Sequence, residues 1–160
     1  MLTEKDYCDY DTCVALKELG YNQYTSLRSY AGKGGVRLWD FDGEPNYKEG
    51  ELIALSDMYD IPRDGNEVAA PSLYETQKWL REEKKIIIEA TFDLMYKGQP
   101  RFSWRVLYNL TQHKGAYYTF DSINSKEDYD SYEEALTKGL CQAVKILKEN
   151  GYGKDSNICQ

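Results

Sequence analysis

Histidine is nearly missing from this chain: His113 is the only one in 160 residues. Paired cysteines are missing as well. Cys8 and Cys13 stand near the start and Cys141 and Cys159 near the end, with no CxxC spacing, so the close ligand pairs of a zinc site are not in place. No apolar run approaches membrane-spanning length. The opening Met1-Leu2-Thr3-Glu4-Lys5-Asp6 lacks the basic region and apolar core of a secretion signal. A cytoplasmic, reducing setting with thiols unpaired is the expectation. Basic residues are in deficit, 20 Lys and Arg against 27 Asp and Glu, for a net charge of −7 and a pI near 4.8. That balance opposes the counterion release that drives binding to phosphate backbones, and the Lys and Arg residues are scattered rather than clustered. Direct nucleic-acid binding and attraction to anionic membranes are both disfavoured.

What is present suits one globular domain. The chain is long enough to bury a core without staples, and 41% hydrophobic with 29% charged residues argues against wholesale disorder. The aromatic share is dominated by tyrosine, 15 Tyr against 4 Phe and 3 Trp. Tyrosine joins an apolar ring to a polar tip and fits half-buried sheet faces or partner surfaces.

The second half carries the clearest periodicity. Ser72-Leu73-Tyr74-Glu75 reads as a capping box opening a helix over about 72–84. Ile86, Ile88, Ala90, Phe92, Leu94 and Tyr96 then alternate with Glu89, Thr91, Asp93 and Lys97, as in a strand with one buried face. After a turn at Gly98-Gln99-Pro100, Phe102, Trp104, Val106, Tyr108 and Leu110 repeat the pattern. Ser131-Tyr132-Glu133-Glu134 caps a last helix, about 131–149, whose stripe is Tyr132, Ala135, Leu136, Gly139, Leu140, Ala143, Val144 and Leu147. Gly139 breaks helix propensity there, which points to close packing on the sheet. On the opposite sheet face Glu89, Thr91, Asp93, Ser103, Arg105 and Asn109 read as solvated, interrupted by Ile87, Met95 and Leu107.

The first half is shorter in signal. Asp11 to Gly20 reads as an amphipathic helix with a glycine C-cap. Tyr24–Tyr30 and Val36–Phe41 are strands of a hairpin turning at Gly32-Lys33-Gly34-Gly35. The expected organisation is a single α+β domain, a two-layer sandwich of mainly antiparallel sheet packed by helices. Residues 1–41 form a helix and hairpin, 42–70 a long irregular connection with one strand near Glu51–Leu55, and 71–150 a helix, three strands and helix.

Three blocks carry a resemblance: Ala15-Leu16-Lys17-Glu18-Leu19-Gly20-Tyr21, the run from Ala70 to Glu82, and Asp130-Ser131-Tyr132-Glu133-Glu134-Ala135-Leu136. Together they resemble a group of small uncharacterised proteins from bacteriophages and prophages of gut bacteria. The resemblance spans most of the chain, implies a mobile-element origin and a cytoplasmic setting, and carries over no functional residues.

No block is a catalytic signature, and each chemical constellation has a plainer explanation. The order of residues 72–149 matches the topology of a double-stranded RNA-binding domain, but Glu127, Asp128, Glu133 and Glu134 stand where such a domain grips phosphates with basic residues. Asp40, Asp42, Glu44 and Glu51 fall at calcium-loop positions 1, 3, 5 and 12, yet Pro45 takes the position that requires glycine. Gly32–Gly35 lacks the spacing of a phosphate loop. His113 reads as a turn residue and Cys141 as a small residue of the apolar stripe. Cys8 and Cys13 flank aspartates, which raise a thiol pKa rather than activate it. The reading therefore places no catalytic, cofactor-binding or metal-ligating residue and no cofactor. It favours a non-enzymatic accessory protein acting through another protein or through self-association. The alternatives are an acidic mimic of nucleic acid that inhibits a DNA-processing enzyme, motivated by the acids from Asp40 to Asp64, and an enzyme whose site is not visible in sequence order.

Overall fold

The computed structural model describes residues 3–21, 28–30, 52–54, 68–114 and 117–150. The chain divides into two compact units, Met1–Ser72 and Leu73–Gln160. The fold is α+β, with antiparallel sheets packed by helices.

In the first unit a single 3-10 turn, Glu4–Asp6, precedes helix α1, Tyr10–Glu18. Asp9 caps α1 by accepting from the Thr12 N–H at 2.8 Å. At the other end Gly20 takes φ +92°, and the N–H groups of Gly20 and Tyr21 return to the carbonyls of Lys17 and Leu16. These paired bonds are those of a Schellman motif, at the glycine C-cap that the sequence predicts. Among the described residues three short strands follow: β1 Arg28–Tyr30, β2 Leu52–Ala54 and β3 Val68–Ala69. They pair antiparallel with β1 in the centre. β1 falls within the expected strand Tyr24–Tyr30, and β2 within Glu51–Leu55. Val36–Phe41, the glycine turn before it and most of 42–70 lie outside the described residues. α1 packs on β3, and Cys8, Cys13, Leu16, Leu19 and Tyr21 are buried.

The second unit runs helix α2 Leu73–Glu83, strands β4 Ile87–Tyr96, β5 Gln99–His113 and β6 Tyr117–Asn124, then helix α3 Tyr132–Glu149. The sheet order is β4-β5-β6, all antiparallel. α3 lies against β4 and β5 and α2 against α3 and β4, which gives the two layers expected of one sheet and two amphipathic helices. The buried stripe of α3 is the expected one with Ile146 added and Tyr132 only half-buried. Gly139 sits where the helix meets the sheet: a Cβ there would lie 2.8 Å from Ile88 Cγ2 and 3.3 Å from Trp104 Cβ.

The sheet is staggered. β5 pairs with β4 along Gln99–Leu107 and with β6 along Arg105–His113, so three strands lie abreast only at Arg105–Leu107. On the flank vacated by β6 the return segment closes in: Ser125 N–H donates to Trp104 O at 2.9 Å, and Phe102 and Tyr129 exchange backbone bonds of 2.9 and 2.8 Å. On the far edge, Gln77 Nε2 donates to Ile88 O at 2.7 Å and so caps part of the edge of β4.

Two bulges change which side chains face the helices. The register slips at Asp93, between the pairs Phe92–Phe102 and Leu94–Arg101, and again at Asn109-Leu110, between Tyr108–Asp121 and Thr111–Thr119. Asn109 holds φ +52° there, with its side-chain amide on Asp121 Oδ2 at 2.8 Å. Such an extra residue inverts the in-out alternation beyond it. Leu94 and Tyr96 therefore share the face of Arg101, away from α3.

Candidate functional site

The β4–β5 hairpin turns through Lys97 and Gly98, at φ +49° and +78°. Two successive positive φ values suit a two-residue primed turn, whose twist matches the strands on either side. The turn thus lies one residue earlier than the sequence predicts, and Gln99 and Pro100 belong to β5, opposite Tyr96 and Met95. Pro100 stands where the strand has lost its neighbour on one side, the position a residue without an N–H tolerates.

The hairpin tip is apolar on both faces. Phe92 is 56% exposed, Leu94 42%, Met95 58% and Tyr96 57%. The alternation predicts Phe92, Leu94 and Tyr96 as core, and the structure overturns this for two reasons. α3 starts at Tyr132, so the helical layer ends over Phe102 while the hairpin runs on. Beyond that end the bulge at Asp93 turns Leu94 and Tyr96 onto the other face. Met95, expected on the solvated face, lies opposite Pro100 on the helix side and is exposed as well. Of the other two apolar residues that interrupt the solvated face, Leu107 is buried and Ile87 half-buried.

The tip is held from its base. Phe92 meets Phe102 edge-on with ring centroids 6.5 Å apart, and Phe102 meets Tyr132 at 6.3 Å, a ladder from hairpin to the first turn of α3. Arg101 bonds the Asp130 carboxylate and, through Nη2, the Asp128 carbonyl at 2.9 Å. Trp104 Nε1 donates to the Tyr129 hydroxyl at 3.3 Å. Lys97 Nζ stands 5.3 Å from the centre of the Tyr96 ring, within cation–π range. Nearby, the Asp93 carboxyl is raised above its usual pKa, first by a hydrogen bond with the Asp128 carboxyl, then by partial desolvation and the negative field of Asp128.

The residues weighed from sequence do not converge on this tip. His113 lies in β5 rather than in a turn, paired with Tyr117, and its Nε2 is 3.0 Å from Thr119 Oγ1, an ordinary cross-strand contact at the exposed end of the ladder. Cys141 is half-buried, at the border of the α3 stripe rather than within it. Cys8 and Cys13 are both fully buried at the start of α1, on the other unit. Asp40, Asp42, Glu44, Glu51, Gly32–Gly35 and Cys159 lie outside the described residues. At the start of α3, Ser131 Oγ accepts from the Glu134 N–H at 3.1 Å and the Glu134 carboxylate accepts from the Asp130 N–H at 3.3 Å, so this acidic segment is occupied in capping the helix. Among the described residues no group of three or more His, Cys, Asp or Glu is placed to hold a metal ion. None of their helices is long and apolar enough to cross a membrane.

The tip had one sequence signal, the unbroken apolar run Leu94-Met95-Tyr96 just before a Lys-Gly turn. A strand with one solvated face does not need three successive apolar residues. Comparison with protein-family models, with curated proteins and with solved structures gave no match.

Proposed function

We propose that this chain is a non-enzymatic accessory protein of a phage or an integrated element, working in the cytoplasm by protein–protein contact through the β4–β5 tip. The observation that carries this reading is the exposure of Phe92, Leu94, Met95 and Tyr96 together at one end of a braced hairpin. Scattered exposed apolar residues are ordinary, whereas a contiguous group of large ones is a usual feature of an association surface. Aromatic residues and Met are also the types enriched at interface centres. The primed turn, the ring ladder and the Arg101 anchors fix the hairpin before any partner arrives, which lowers the ordering cost of binding.

The test is capture from phage-induced host lysate with tagged wild-type chain and with the double variant Leu94→Asp, Tyr96→Asp. Both side chains are exposed, so the variant is expected to melt as the wild type does. The expected result is a partner retained by the wild type and lost, about tenfold or more, by the variant. Equal retention by the two would remove the tip from the account.

A further inference from the structure

Cys8 and Cys13 flank the cap of α1 in positions that bring their side chains together. Asp9 is the N-cap, so Cys8 precedes the cap by one residue and Cys13 is the fourth residue of the helix. These two positions commonly hold apolar residues that pack on each other and fix the angle at which the chain enters the helix. Here both are cysteines, each only 1% exposed. Cys13 Sγ donates to the Cys8 carbonyl at 3.6 Å, and Cys13 N–H to the Asp9 carbonyl at 2.9 Å. The Cys13 thiol is pushed far above its usual pKa, first by a hydrogen bond with the Cys8 thiol, then by burial, then by the fields of Cys8 and Asp9. The backbone just before the cap is anchored too: Cys8 N–H donates to Pro71 O at 3.1 Å, and Tyr7 bridges Ser72.

From this staple geometry we infer that Cys8 and Cys13 are a redox-sensitive lock, a dithiol that closes to an intramolecular disulfide when exposed to a small disulfide oxidant such as oxidised glutathione. One protein thiolate attacks a sulfur of the oxidant, giving a mixed disulfide and releasing one glutathione thiolate. The second protein thiolate then attacks the protein sulfur of that mixed disulfide, forms the Cys8–Cys13 bond and expels the second glutathione. Two protein thiols are oxidised, one glutathione disulfide is reduced to two thiols, and the two protein S–H protons pass to the departing thiolates. Both thiols are buried and that of Cys13 is held protonated, so closure proceeds through transient opening of the segment before α1. Once closed, the bond ties the Tyr7–Cys8 segment covalently to the first turns of α1.

The test equilibrates the full chain in a series of reduced-to-oxidised glutathione ratios, once under native conditions after refolding in the same buffer and once in concentrated guanidinium chloride. After acid quenching and cleavage at Tyr10 or Asp11, mass spectrometry counts the bridged Cys8–Cys13 peptide. The native fold is expected to hold the bridge at a ratio about tenfold or more reducing than the denatured chain does, because the fold raises the effective concentration of one thiol at the other. Bridging no stronger in the native chain than in guanidinium would overturn the inference. So would pairing of either residue with Cys141 or Cys159, or persistent glutathione adducts in place of the bridge.

Discussion

Cys13 shows how a single residue's chemistry follows from its neighbours. Its thiol is held protonated by the Cys8 thiol and by burial, whereas in the unfolded chain a cysteine ionises near pH ~8.5. A group whose folded pKa is raised contributes its stability in full below the unfolded pKa and loses it as pH rises toward the folded value. Under reducing conditions the contribution of this thiol to stability is therefore expected to fall as pH rises above about 8.5. Guanidinium titrations at pH 7 and pH 10 on wild type and Cys13→Ala measure it. The wild type should lose more stability between the two pH values than the variant, and equal losses would contradict the assignment. The direction of this effect was legible in the sequence from the aspartates around the two cysteines. The larger cause, the contact between the thiols, was not, because it depends on where the helix cap falls.

At the scale of elements, periodicity located the helices and strands of the second unit well and their faces less well. The α3 stripe needed no correction beyond its margins, since a helix without insertions keeps its phase along its whole length. Gly139 was legible as a break in propensity, and the structure supplies the reason in Ile88 Cγ2 and Trp104 Cβ. Gly139→Ala is accordingly expected to destabilise the chain by up to about 2 kcal/mol net, an overpacking cost of about 1–3 kcal/mol set against the gain of about 1 kcal/mol that alanine brings to a helix interior. Urea unfolding followed by circular dichroism decides the sign, and a stabilised variant would mean that α3 does not approach the sheet this closely. The strands are different. One extra residue at Asp93 and another at Asn109-Leu110 each invert the alternation beyond them. Neither position has a composition that separates a bulge from a regular strand, although Asn at positive φ is a common choice there. That is why Leu94 and Tyr96 read as core and stand exposed.

For the molecule as a whole, the α+β class and the helix–three strands–helix order were legible because each element in 71–150 is long and keeps one period. Most of 22–67 lies outside the described residues, including the acids from Asp40 to Asp64 that motivated a nucleic-acid mimic. The net charge of −7 bears on which partners the chain attracts rather than on its fold. The tip was not legible as a site, because its exposure depends on where α3 begins relative to the hairpin, and that is a property of tertiary packing. On the proposed function it is this tip, and not exposed aromatic surface in general, that meets the partner. Tyr74 on α2 is a fair control, being 46% exposed against 57% for Tyr96. The most direct measurement replaces each tyrosine in turn by a photoreactive phenylalanine analogue and irradiates phage-induced cells. Position 96 is expected to crosslink to one discrete protein that position 74 does not reach; equal labelling from both positions, or none from 96, would contradict the claim.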